Sequence, residues 1–207
     1  MKRTYSVHFP ITCLLILANS APNLSAAEPS RGNTSSRKCS DAVTLFVATP
    51  TSHNYEDIRP LMGDTCWSTL TVKQIQSLDA LVAAGNKFAA QLMAPHLRQL
   101  DGGELEDALR AFGRYSIHDM RDFLSLVASR ALTQQEASDA LTMLPLELDD
   151  QFDAQLAALR TRRTAVENVH DSQLQAAAKS ALHAIDAFMA EVETARSGQN
   201  SAKPLPQ

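Results

Sequence analysis

Residues 150–195 read DQFDAQLAALRTRRTAVENVHDSQLQAAAKSALHAIDAFMAEVETA, a stretch with neither glycine nor proline. Phe152, Leu156, Leu159, Val166 and Val169 form one apolar run at helical spacing. Leu174, Ala178, Ala181, Ile185, Phe188, Val192 and Ala195 form a second, with near-heptad steps. One continuous helix over this stretch would be about 69 Å long at 1.5 Å per residue. Asn168, Asp171 and Ser172 offer break or cap residues, so the alternative is two helices in a hairpin. Either way the chain reads as an all-α bundle with a long C-terminal helix or helical hairpin.

The remainder of the chain keeps the same period. Thr71 and Gln74 form a capping box, in which each side chain satisfies an orphan N–H at a helix start. Val72, Ile75, Leu78, Val82, Phe88 and Leu92 follow as an apolar face, interrupted near Gly85 and Asn86 and stopped or kinked at Pro95. Leu105, Leu109 and Phe112 share a face that Gly113 terminates as a C′ residue. Ser116 and Asp119 start another helix, with Ile117, Met120, Leu124, Val127 and Ala131 turned inward. Thr133 and Glu136 form a second capping box, and Pro145 stops that helix. The β-branched run VTLFVAT at 43–49 has strand propensity but no partner strand, which favours a helix. The expectation is a bundle of about five to seven helices.

The ends of the chain differ in kind. Lys2 and Arg3, an apolar run over 11–18 and the small residues SAA at 25–27 form a secretory signal pattern, with cleavage before Glu28. The apolar run falls short of the roughly 20 residues a membrane-spanning helix requires. Residues 28–38 and 197–207 are polar, with Pro, Gly and Ser, and read as a disordered leader and tail around a single helical domain at 39–196. Removing residues 1–27 leaves 180 residues, and the loss of Lys2 and Arg3 leaves 17 basic residues against 23 acidic, a net charge of −6. This acidity argues against a nucleic-acid partner. The expected location is periplasmic or secreted, with no integral membrane segment once the signal is removed; the oligomeric state stays open.

Signal removal also takes Cys13 and leaves Cys39 and Cys66. Two thiols in an oxidising compartment favour a disulfide over a free nucleophile. Metal ligation together with His53 is the alternative, but the close Cys spacing of structural zinc sites is missing. The loop between the cysteines carries His53 and Tyr55, and Trp67 follows Cys66, in position to cover the disulfide. His53, Tyr55 and Trp67 are therefore the residues of a candidate binding loop. His96, His118, His170 and His183 share no i, i+3 or i, i+4 spacing, which suits scattered surface positions better than a metal site.

Acidic clusters at 104–107 and 147–153 fall at expected helix starts, where carboxylates complement the helix dipole. Arg160, Arg162 and Arg163 read as a solvated basic face or as partners of nearby acids. G-x-S-x-G, H-E-x-x-H, P-loop, G-x-G-x-x-G and C-x-x-C motifs are all missing from the sequence. LTVKQ at 70–74 resembles the L-T-x-x-Q motif of small helical periplasmic chaperone and metal-stress proteins. LTQQE at 132–136 departs from it at the last position, and ordinary helix capping accounts for the same letters.

The resulting expectation is a protein that binds other proteins or envelope components, in a chaperone-like or secretion-accessory role, with no cofactor and no metal. One rival is a small periplasmic or secreted hydrolase using helix-start carboxylates, in which two or more of Glu104, Glu147, Asp150, His118 and His170 share a deep pocket. Another is an inhibitor or immunity-type protein that inserts the loop at 53–62 into a partner.

Overall fold

Residues 32–201 are described by the computed structural model, with side chains over 37–199. The expected signal peptide at 1–27, the first residues of the leader and the last residues of the tail lie outside them. In chain order the helices are α1 (Gly32–Ala48), α2 (Ser52–Ile58), α3 (Asp64–Trp67), α4 (Val72–Ala83), α5 (Lys87–Met93), α6 (Gly102–His118), α7 (Met120–Ala128), α8 (Gln134–Thr142), α9 (Phe152–Glu167) and α10 (Gln175–Ser201). Short 3-10 turns occupy Ala94–Gln99, Leu146–Leu148 and Ser172–Leu174, and the described residues contain no strand. The fold is an all-α bundle. The ten α-helices among the described residues exceed the five to seven expected, because Thr51 and Asn86 each cap a short helix where periodicity alone suggests loop or continuation, and α3 adds one turn.

The C-terminal stretch is a hairpin. α9 ends at Asn168, and Asp171 accepts from the N–H of Gln173 to start the next turn. Arg163 reaches Asp186 at 2.8 Å and Asp153 reaches Arg196 at 3.1 Å, a pairing that fixes the two helices antiparallel. Leu156, Leu159 and Val166 meet Ala178, Ala181, Ile185 and Val192 in the core.

α6 lies centrally, against α4 on one side and α8 and α9 on the other. Gly113 does not end this helix as its sequence position suggests; α6 continues to His118. A Cβ at Gly113 would stand 2.5 Å from the Ala140 carbonyl oxygen and 2.8 Å from Arg162 Nη2, so only glycine permits this approach. Arg162 is 1% exposed, and its Nη1 donates to the carbonyls of Leu141 at 2.6 Å, Met143 at 3.1 Å and Ala140 at 3.3 Å. A buried cation thereby satisfies orphan carbonyls at the C-terminus of α8. Of the arginine cluster, Arg160 and Arg163 do face acids across the hairpin, at Glu193 and Asp186. Arg162 instead corrects the reading of a solvated face, because α6 leaves room for it at Gly113.

Several inward assignments also change. Ser116 is buried inside α6 rather than capping α7; Asp119 performs that role, accepting from Asp122 N–H at 2.8 Å. Ile117 and Val72 are exposed. The VTLFVAT stretch is helical, with Val43 and Phe46 buried. α1 begins at Gly32, upstream of the boundary at Cys39, and α10 runs past the expected end to Ser201. A helix nucleated by a buried stripe extends over polar residues at little further cost, since each added residue gains one backbone bond.

Candidate functional site

Cys39 of α1 and Cys66 of α3 are buried and joined, with their Cα atoms 5.6 Å apart. The bond ties the first helix to the segment leading into α4. The residues of the candidate loop go separate ways. His53 is exposed and sits 3.6 Å from Asp57. Tyr55 turns inward and stacks on Phe88 at 5.0 Å, and its burial raises the phenol pKa. Trp67 is buried and stacks on His96, with ring centroids 4.7 Å apart. His96 is thus a core histidine, 5% exposed, whereas His118, His170 and His183 are exposed. Burial lowers the His96 pKa, opposed by a backbone hydrogen bond at Met62 and by Asp64. The supposed loop is mostly α2, with Ile58 in the core.

A different place combines exposure with unmet chemistry. Gln76, Asp79, Ala80 and Ala83 lie along one face of α4, at i, i+3, i+4 and i+7. Asp107, Arg110, Ala111 and Arg114 repeat that spacing on the facing side of α6. Leu146 and Glu147 from the 3-10 turn close the end of a cleft of about 350 Å³ between them.

Asp79 lies within the apolar stripe of α4, four residues after Ile75 and three before Val82, both buried. Its side chain therefore points between α4 and α6 instead of to solvent. Asp79 is 8% exposed, and its Oδ1 is buried without a hydrogen-bond partner. Burial pushes its pKa up to about 7, and the negative charges of Asp107 and Glu104 add to the shift. A carboxyl in this setting is half protonated near neutrality. A buried, unsatisfied polar atom in a native fold calls for an explanation, and a raised pKa beside a cleft makes Asp79 a candidate site residue.

The other charges are partly committed. Arg110 reaches Glu106 at 3.2 Å and Asp107 at 3.6 Å, while its Nε is buried without an acceptor. Of the five residues expected to converge in an enzyme, only Glu147 lines this cleft. Glu104 acts on Asp79 through charge alone, and Asp150 lines a separate cleft with Asp153 and Arg196. Among the described residues, no group of three or more His, Cys, Asp or Glu is placed to hold a metal ion. Asp79 is not among the sequence candidates, which are acids at helix starts. The signal was present as a carboxylate inside an otherwise apolar stripe.

Thr71 with Gln74 and Thr133 with Glu136 both form complete capping boxes, so both motif-like stretches serve as helix caps. The chain matches no family model, no curated protein and no solved structure.

Proposed function

We propose that this chain is an exported helical protein that acts by binding another protein or envelope component, in a chaperone-like or secretion-accessory role. The binding place is the cleft between α4 and α6. Export rests on the N-terminal sequence pattern and accords with the Cys39–Cys66 pair. The observation that carries the binding reading is the Asp79 carboxyl, which lines an open cleft while its Oδ1 lies buried without a hydrogen-bond partner. Folding desolvates that carboxyl, and a bound group that supplies a donor or a positive charge to it recovers the lost interaction.

One observation favours a second reading. A carboxyl pushed up to about 7 suits a general acid, and Asp79 with Glu147 would then be a hydrolase pair. The ion pairs of Arg110 and the positions of His118, Glu104 and Asp150 away from the cleft lining support binding over catalysis. The inhibitor reading gains no support, since the segment it would insert is a docked helix.

Site-specific photo-crosslinking in a native envelope fraction tests the proposal. Crosslinkers at Gln76 and Leu146 are expected to trap the same partner, and one at exposed Glu191 on α10 is expected to trap none. Equal trapping at all three positions, or none at the cleft, would overturn it.

A further inference from the structure

We infer that the α4–α6 cleft receives the side chain of a single lysine or arginine presented by a partner polypeptide. This rests on the binding reading above and specifies its chemistry.

The cleft has the parts such a side chain needs. Ala80, Ala83 and Ala111 offer small apolar walls, and Leu146, 58% exposed, lies beside them. These surfaces suit a methylene stem, which long cationic residues bury while directing the charged head to a polar partner. At the wall stands Asp79, 8% exposed, a carboxyl with one buried and unpartnered oxygen. A cation there draws the proton from Asp79 and offsets the desolvation that folding imposes on it. An anion would meet three carboxyls, Asp79, Asp107 and Glu147, against two arginines, of which Arg110 is already paired with acids. A divalent metal finds no ligand cluster among the described residues.

The surrounding charges limit what fits. On α4 the only other charged side chain is Lys73, about 9 Å away along the axis. From α6 the charged groups that line the cleft or act on Asp79 are Glu104, Asp107, Arg110 and Arg114, with Glu106 paired to Arg110, and from the 3-10 turn Glu147. No charged residue of α1 or α5 lines the cleft. Arg110 is held by Glu106 and Asp107, which leaves Arg114 as a positive charge exposed on the lining. Arg114 disfavours a second cation, so one isolated lysine or arginine fits better than a basic run.

The test uses the folded protein and three capped pentapeptides, Gly-Ala-Xaa-Ala-Gly, with lysine, arginine or norleucine in the centre. Each is titrated at millimolar concentration while backbone amide shifts are followed by NMR. The lysine and arginine peptides are expected to move amides at 76–83 and 107–114, and the norleucine peptide to bind at least tenfold more weakly. Asp79→Asn, which keeps the shape and removes the charge, is expected to weaken lysine binding at least tenfold. In the wild type, binding should weaken about tenfold per pH unit below the Asp79 transition, and in Asp79→Asn it should be flat there. Equal binding of norleucine, retained binding in Asp79→Asn, shifts elsewhere on the protein, or no shifts at all would each overturn the inference. Where the envelope crosslink succeeds and the lysine peptide fails, the cleft binds by other chemistry. Where both fail, the binding reading falls too.

Discussion

Asp79→Asn should stabilise this protein, and by an amount that depends on pH in a defined way. The Asp79 pKa rises from 3.8 to about 7 on folding. The neutral form is thus the one the fold prefers. At low pH Asp79 is neutral in both folded and unfolded chains and costs nothing. Between about pH 4 and pH 7 the unfolded chain ionises while the folded chain resists, so stability falls as pH rises. Above about 7 both states are ionised and the penalty levels off. About three pH units at 1.36 kcal/mol each give roughly 4 kcal/mol as the full penalty. Asparagine carries no such charge and fills nearly the same volume. Chemical denaturation of wild type and variant at pH 4, 6 and 8 measures this. The expected gain is under about 1 kcal/mol at pH 4, and it grows to several kcal/mol at pH 8. A gain that does not vary with pH, or a variant less stable than wild type at pH 8, would refute the placement of an unpartnered carboxyl between α4 and α6. A stabilising change that abolishes binding is the pattern expected where a site is kept at the expense of stability.

The remaining predictions concern the scaffold. Replacing Cys39 and Cys66 together with serine removes a cross-link spanning 27 residues of sequence and should lower stability by about 3.5 kcal/mol; peptide mapping with and without reductant should show the link directly. Gly113→Ala drives a methyl group against the backbone oxygen of Ala140 and should cost about 1–3 kcal/mol. Arg162→Met orphans carbonyls at the end of α8 and should cost about 3 kcal/mol, seen as faster amide exchange in α8 before global unfolding. His96 behaves oppositely to Asp79. Its folded pKa lies below the ordinary 6.5, so its contribution is complete above that value and is lost as pH falls below it. Trp67, the single tryptophan, stacks on His96, so its fluorescence should report that loss on acidification, and His96→Phe should remove the transition.

The helical period of the C-terminal stretch was legible in the sequence because its signals are local, whereas its folding into two antiparallel helices instead of one long one depends on tertiary packing. Asn168 and Asp171 interrupt two apolar runs, and caps act within a few residues. The two capping boxes were legible for the same reason. Arg162 was not, because whether an arginine on α9 is solvated depends on Gly113 of α6, far away in sequence. His96 was hidden likewise, its burial set by Trp67 of α3 stacking against it. Glycine shows the limit clearly. Gly113 looks like a helix terminator by propensity, yet it sits inside α6 because close approach to Ala140 demands it. Gly85 does break the chain, with a left-handed backbone at φ 86°, and Asn86 caps α5 directly after it. The candidate cleft was half legible. The i, i+3, i+4, i+7 faces of α4 and α6 can be written from sequence, but which helix meets which is a tertiary fact. Glu147 was nominated as a helix-start acid, whereas Asp79 had to be seen against Leu78 and Val82 to stand out.

The central claim is that Asp79 is held desolvated and unpartnered so that a ligand can complete it. Carboxyl carbon NMR of Asp79, titrated in the free protein and again with the lysine pentapeptide, tests this most directly. The account predicts a midpoint of about 7 in the free protein and a clear fall when the peptide is bound. A free-protein midpoint at the ordinary aspartate value, unmoved by the peptide, would contradict it.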